Sequence, residues 1–309
     1  MAVDRIGTNF NQSQLLTELM RQQSRIAETQ RQVSTGKVGE TYADLGGNAS
    51  LFVAAKTVQA RLDAYQEAGT ALKARLDIQA SQLNELSKVA TDMRTSVATA
   101  LATGDARFLM EELSGRYNTL RSILNTERDG TFFFGGTRGD AEPVTAATLA
   151  DLGLLAAGTD AFQDSGSRTS AVIGDNQTID SGQPASVVAG RLFEALRVLQ
   201  AAATADPFGG ELTAAQRTTL ETALGGLSLG IVDVQQAEAV NGLAQSRLET
   251  TTARNKEFRD AYQEFISGIE DVDVTEAISR LSRDQLAVEA STRVLAQLYR
   301  SSLLDVLQG

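Results

Sequence analysis

Residues 269–307 read IEDVDVTEAISRLSRDQLAVEASTRVLAQLYRSSLLDVL. Apolar side chains recur through this stretch at Val274, Ile278, Leu281, Val288, Leu295 and Tyr299, and Gln285 and Thr292 fill the two gaps in the row. A side row of Ala277, Leu286, Ala290, Val294 and Leu298 widens the apolar face. Spacing of three and then four residues, held this long, predicts one helix with one apolar seam. No Gly or Pro interrupts it before Gly309. Little follows this helix to cover its face, so its partner is expected from elsewhere in the chain or from another chain.

The candidate partner within the chain is at the opposite end. From Asn11 to Val33 the apolar positions Leu16, Leu19, Ile26 and Val33 share one heptad phase with Gln12, Gln23 and Gln30. Asn9 or Asn11 can cap the start of this helix, and Gly36 suits its end. Both terminal seams are diluted by Gln, Thr and Ser, which weakens an isolated pair. The expectation is two ends that pack weakly in one molecule and strongly among many.

Composition narrows the function. The chain has 309 residues, a net charge of −11, 5% aromatics and no Trp. Ala and Leu supply most of the apolar content, which favours helical rods over a thick globular core. No basic patch is visible, so nucleic acid is not an expected partner. No apolar run is long enough for a membrane helix, and no secretory leader pattern stands at the N-terminus. Cys and His are both absent from the sequence. Thiol and imidazole chemistry and Cys/His metal sites are therefore excluded.

Between the ends, the chain reads as a near-mirror plan. Residues 37–49 are loop-like, with Gly39, Gly46 and Gly47, and Asn48 can cap the next helix. That helix carries the longest period: Leu51, Ala55, Val58, Leu62, Tyr65, Gly69, Leu72, Leu76, Gln79, Leu83, Leu86, Ala90, Met93, Val97 and Leu101. At 1.5 Å per residue it would extend roughly 75 Å, which predicts an elongated molecule. Gly104-Asp105 breaks it. A shorter helix follows, with Leu109, Leu113, Tyr117, Leu120 and Leu124 on one face. Asp129-Gly130 signals a turn into the β-prone run Phe132–Phe134. From 136 to 189 helical periodicity fades, and residues 172–179 read as two short strands about a turn. All three prolines (Pro143, Pro184, Pro207) fall in or just after this region. Helical texture returns near Ala185, with Val188, Leu192, Leu196 and Leu199. From Thr213 a second long periodic segment runs through Leu220, Leu227 and Val234, weakens at Asn241-Gly242, and resumes at Leu248, Phe258, Tyr262, Phe265 and Ile269. Asp273 can cap the final helix.

The fold class predicted is mainly α: terminal helices forming a coiled-coil rod, a long antiparallel helical shaft, and a small β-containing central insertion. The domains expected are 1–40 with 272–309, 41–135 with 190–271, and 136–189.

Four segments carry a resemblance. Gln30–Lys37 (QRQVSTGK) is similar to the QxxLSSGK that ends the first helix of the flagellin superfamily. Arg128–Gly136 (RDGTFFFGG) resembles the DGxYLFxG turn and strand. Asp271–Leu281 (DVDVTEAISRL) resembles DxDxAEAxxxL, and Ser301–Leu307 (SSLLDVL) resembles the closing LSLFDYL. Within that superfamily the chain looks most like the flagellar hook-associated protein 3 family, the hook–filament junction proteins. Two departures stand out. Val38 and Tyr42–Leu45 replace the family's Arg and PSDDP connector, and the closing segment lacks its aromatics.

The resemblance implies a structural subunit of the bacterial flagellum, with flagellin, the bulk filament subunit, as the alternative. It implies self-assembly, contacts with a neighbouring hook-associated protein and with flagellin, and an export chaperone. It also implies an extracellular location reached without a cleaved signal peptide. The terminal helices would form an inner tube, with Leu16, Leu19, Ile26, Val33, Ile278, Leu281, Val288, Leu295 and Tyr299 as the assembly interface.

Competing readings of single motifs are weaker. Ser34–Lys37 lacks the Gly and Ser/Thr positions of a phosphate loop. Gly135–Gly139 lacks dinucleotide-binding order, and Glu270, Asp271 and Asp273 lack calcium-loop spacing. An enzyme would have to run on carboxylates, Ser, Lys or Tyr, and paired acids such as Glu111 and Glu112 are helix neighbours that do not face each other. No catalytic residue, cofactor or metal is expected.

Overall fold

A computed structural model describes the backbone of residues 2–308 and the side chains of residues 13–297. Helix α1 spans Ala2–Thr35, α2 Ala49–Thr103, α3 Leu109–Leu124, α4 Leu149–Gly153, α5 Ala185–Ala205, α6 Ala214–Glu270 and α7 Val274–Gln308. Two antiparallel hairpins complete it, β1 (Glu127–Arg128) with β2 (Thr131–Phe132), and β3 (Thr169–Gly174) with β4 (Gln177–Ser181). The fold is mainly α, as predicted. The chain divides into two compact units, Met1–Ala60 with Arg259–Gly309, and Arg61–Phe258.

The larger unit holds the main core. Its apolar face on α2 is the predicted row: Leu83, Leu86, Ala90, Met93 and Val97 are fully buried. They pack with Leu113, Tyr117 and Leu120 of α3, Leu192 and Leu196 of α5, and Leu220, Leu227 and Val234 of α6. Each of the Leu, Val and Met side chains contributes roughly 1.5–3 kcal/mol by leaving water. Tyr117 is buried, so its hydroxyl needs a partner. It donates to the carbonyl of Ala146 at 2.8 Å, while its ring meets Phe193 edge-on at 5.5 Å. Gly104 takes φ +75° and its amide closes α2 on Ala100, which ends the helix where the sequence places the break. Thr213 and Gln216 bond reciprocally to each other's backbone at the start of α6, a capping box.

The β1–β2 turn has positive φ at both Asp129 and Gly130, the geometry of the tight turn predicted there. The run that follows is a correction. Phe133 and Phe134 are buried, but the strand stops at Phe132. Phe133 and Phe134 serve as core side chains of an irregular segment.

Hairpin β3–β4 lies against α2 and α6, burying Ile173 and Ile179 on Leu72, Leu76, Ala244 and Leu248. Here the polar residues that weaken the α6 seam have partners. Asn241 donates its amide to Leu76 O at 3.0 Å, Asn255 donates to Ile173 O at 2.7 Å, and Thr251 donates to Gln177 Oε1 at 3.0 Å. Helix α6 therefore runs unbroken through Asn241-Gly242.

In the smaller unit, α1 starts earlier than the capping asparagines suggested. Asn9 and Asn11 fall inside a helix that begins at Ala2. A short 3₁₀ turn, Gly46–Asn48, feeds directly into α2. Phe52 rather than Leu51 enters the core there, packing with Ala55 and Ile266. Leu51, Phe258 and Phe265, all placed in seams by periodicity, are exposed.

Candidate assembly surface

Helices α1 and α7 pack along each other within the smaller unit. The least exposed positions on α1 are Leu15, Leu19, Gln22, Ile26, Thr29 and Val33; on α7 they include Ala277, Leu281, Asp284, Val288, Ser291 and Leu295. Both rows alternate steps of four and three, the spacing of a two-helix seam. Ser291 Oγ lies 3.4 Å from Gln22 Oε1 across it.

This pairing divides the residues predicted from sequence. Leu19, Ile26, Val33, Leu281, Val288 and Leu295 are drawn into the seam inside the molecule. Leu16 is 39% exposed and Ile278 48% exposed. The side chain of Tyr299 lies outside the described residues. A further apolar row on α7 faces solvent at Leu286 and Val294, and Met20 of α1 is exposed as well. Leu15, Gln22, Thr29, Asp284 and Ser291 were missed by the sequence reading, and Ala277, read as part of the side row, belongs to the packed one.

The base of the pair is closed by the loops at Gly36 and Asp271. Gly36 takes φ +71°, and its amide donates to Gln32 O at 2.9 Å, capping α1. Val272 N donates to Gly36 O at 2.9 Å, and Val38 N donates to Glu270 O at 2.7 Å. Lys37 and Asp271 form an antiparallel bridge between these bonds. The Lys37 ammonium also binds the Glu270 carboxylate. That hydrogen bond, with the carboxylate's charge behind it, holds the Lys37 pKa above its ordinary value. Lys56 approaches the other Glu270 oxygen at 4.0 Å.

The three acids at this bend have separate tasks. Glu270 serves Lys37, Asp271 accepts from Ser267, and Asp273 Oδ1 accepts from the amides of Thr275 at 2.9 Å and Glu276 at 3.0 Å. The last is the predicted helix cap. Among the described residues no group of three or more acids, His or Cys is placed to hold a metal ion. Glu112, one of the adjacent acids considered for catalysis, binds Arg116 at 2.7 Å and Ser96 at 2.9 Å. The arginine keeps its carboxyl below the ordinary glutamate range. No helix among the described residues is long and apolar enough to cross a membrane.

The connector 38–48, where the sequence departs from the PSDDP pattern, is organised by Asp44. Its Oδ2 accepts from Glu40 N at 3.1 Å and from Thr41 N and Oγ1 at 2.9 Å each. The bonds from Thr41 depress the Asp44 pKa.

Comparison with known proteins places this arrangement. Residues 6–138 match the bacterial flagellin N-terminal helical region, and residues 226–307 match the bacterial flagellin C-terminal helical region. No curated protein sequence matches the chain. Among solved structures, a Vibrio parahaemolyticus protein assigned to the flagellar hook-associated proteins superposes with a TM-score of 0.61 at 16% identity, covering 74% of this chain and 100% of its own. Bacillus cereus FlgL superposes with a TM-score of 0.56 at 15% identity, covering 69% of this chain and 99% of its own. At these identities the likeness concerns the fold.

Proposed function

Because the chain belongs to the flagellin superfamily, we propose that it is the flagellar subunit joining hook to filament, and that it acts by stacking rather than by catalysis. The observation that carries this reading is the double use of the terminal helices. One row of α1 and α7 closes the subunit on itself, while Leu16, Ile278, Leu286 and Val294 stay exposed. A second copy offering the same rows would cover them, with repetition around a layer multiplying a modest gain per contact.

In this reading residues 1–40 with 272–309 form the inner tube, 41–135 with 190–271 the helical shaft, and 136–189 a variable outer part. Of the nine interface residues named from sequence, Leu19, Ile26, Val33, Leu281, Val288 and Leu295 serve closure of the subunit, and Leu16 and Ile278 serve contact with the next one. Hook-associated and flagellin neighbours, an export chaperone and an extracellular position without signal cleavage follow from the same reading.

The absence of aromatics in Ser301–Leu307 favours the second reading, a flagellin. Seeded polymerisation separates them. Purified subunit added to hook or filament seeds grows long filaments if it is a flagellin, and stops at a thin layer if it is the junction subunit.

A further inference from the structure

The link between β4 and α5 crosses α2 at Gly182, and residues 181–185 are all buried. The amide of Gly182 donates to Gln79 Oε1 at 3.4 Å. Gln79 is 1% exposed, and with its oxygen turned to Gly182 its Nε2 is left buried without a partner. Arg75 stands four residues earlier on α2, on the same face of the helix. Its guanidinium lies over the Phe133 ring at 5.7 Å, yet Nε and Nη2 are buried with no hydrogen-bond partner. Gly182 takes φ +71°, and a Cβ there would stand 2.9 Å from Arg75 Nη2. Both side chains therefore reach the same glycine, bringing three nitrogen donors and no acceptor for them.

We infer that Arg75 and Gln79 bind one small inorganic anion beside Gly182, a halide of the chloride class. The inference is independent of the role proposed above.

The excess of donors identifies the ligand. A buried N–H without a partner is costly, and more so on a charged group. A water at this place would need acceptors for its own two hydrogens. Among the described residues the one buried side-chain acceptor left without a partner is Asn241 Oδ1. A halide accepts from every direction, donates nothing and brings the negative charge that Arg75 lacks. Burial of all three nitrogens favours a single-atom ligand over a phosphate or a sugar acid.

Arg75 differs in this from the other arginines of the larger unit. Arg116 and Arg121 also bury an unpartnered Nε, but each is paired with a carboxylate. Arg94 and Arg168 have no acidic partner either, but both are exposed and solvated by water. Arg75 alone is drawn into the protein without an acid beside it. Its burial lowers its pKa, and the face of the Phe133 ring compensates the charge only in part.

Thermal melts of the full chain in sodium chloride and in sodium gluconate, at one ionic strength, test this. Equal ionic strength holds screening constant, and gluconate is too large for a closed site. The wild-type melting temperature is expected to rise with the chloride fraction and then level off, as binding to the folded state requires. Arg75→Gln is expected to lose that rise. Gln79→Glu keeps an acceptor for the Gly182 amide and places a carboxylate beside the guanidinium. It is expected to melt above wild type in gluconate and to ignore chloride. Bromide soaked into crystals of the wild-type chain is expected to give an anomalous-scattering peak between Arg75 and Gln79. A wild-type melting temperature indifferent to chloride, a rise that either variant retains, or a water in place of bromide overturns the inference.

Discussion

The amide of Val272 donates to the carbonyl of Gly36 at 2.9 Å, joining residues from opposite ends of the chain. With the Val38–Glu270 bond and the Lys37–Glu270 pair, it forms a clasp where α1 ends and α7 begins. The terminal helices are thereby set side by side before any other molecule arrives, which lowers the ordering that assembly still requires.

The clasp has a pH signature. The Lys37 pKa is raised in the folded chain by the Glu270 hydrogen bond and charge. A raised lysine pKa stabilises the fold fully below the unfolded value and loses that contribution as pH rises through the folded one. From neutral pH, where the carboxylate partner is ionised, the difference in melting temperature between wild type and Lys37→Gln should therefore stay constant up to 10.5 and shrink above it. Thermal melts across that range check this; a difference that persists unchanged at the alkaline end contradicts it.

Gly39 has no room for a side chain, because a Cβ there would overlap the Asp44 side chain. Gly39→Ala must displace the carboxylate that orders residues 40 and 41. Overpacking of this kind costs about 1–3 kcal/mol. Denaturant unfolding should show the loss, and a simultaneous Asp44→Gly change should recover part of it.

Asn255 ties hairpin β3–β4 to α6 through Ile173 O. Asn255→Ala leaves that buried carbonyl without its donor, at a cost of about 1–3 kcal/mol. Hydrogen exchange of the β3–β4 amides should accelerate more than that of α3 or α5, whose core packing is separate. Equal acceleration everywhere would show that the hairpin is not held locally by this bond.

Leu281 and Ile278 are both seam residues by periodicity, yet they should behave differently. Leu281 faces α1 within the subunit, whereas Ile278 is exposed. Leu281→Asp should weaken α1–α7 pairing in the free subunit. Ile278→Asp should change subunit stability by no more than about 0.5 kcal/mol while still blocking assembly. Circular dichroism melts set beside seeded polymerisation separate the two effects.

Much of this was legible in the sequence because long helices repeat their evidence. The α2 row from Ala55 to Val97 is buried nearly residue for residue as read, since a 3-4 spacing held over many turns admits one face only. The cap at Gly36, the turn at Asp129-Gly130 and the cap at Asp273 were legible for a different reason, being local backbone chemistry.

The α1 and α7 seams were legible only in part. Leu15-Leu16 is an apolar doublet, and polar residues stand at both Gln22 and Gln23, so two phases fit α1 equally well. On α7 the row that packs contains Asp284, which no apolar pattern selects. The aromatics of the α6 C-terminal part misled for a related reason. Phe258 and Phe265 dominate the period, but Ile266 takes the core position.

Electron microscopy of cells lacking this protein tests the central claim most directly. Bare hooks, with filament protein released into the medium, are the result predicted for the hook–filament junction subunit. Hooks that still carry filaments, merely shorter or altered, would contradict that role.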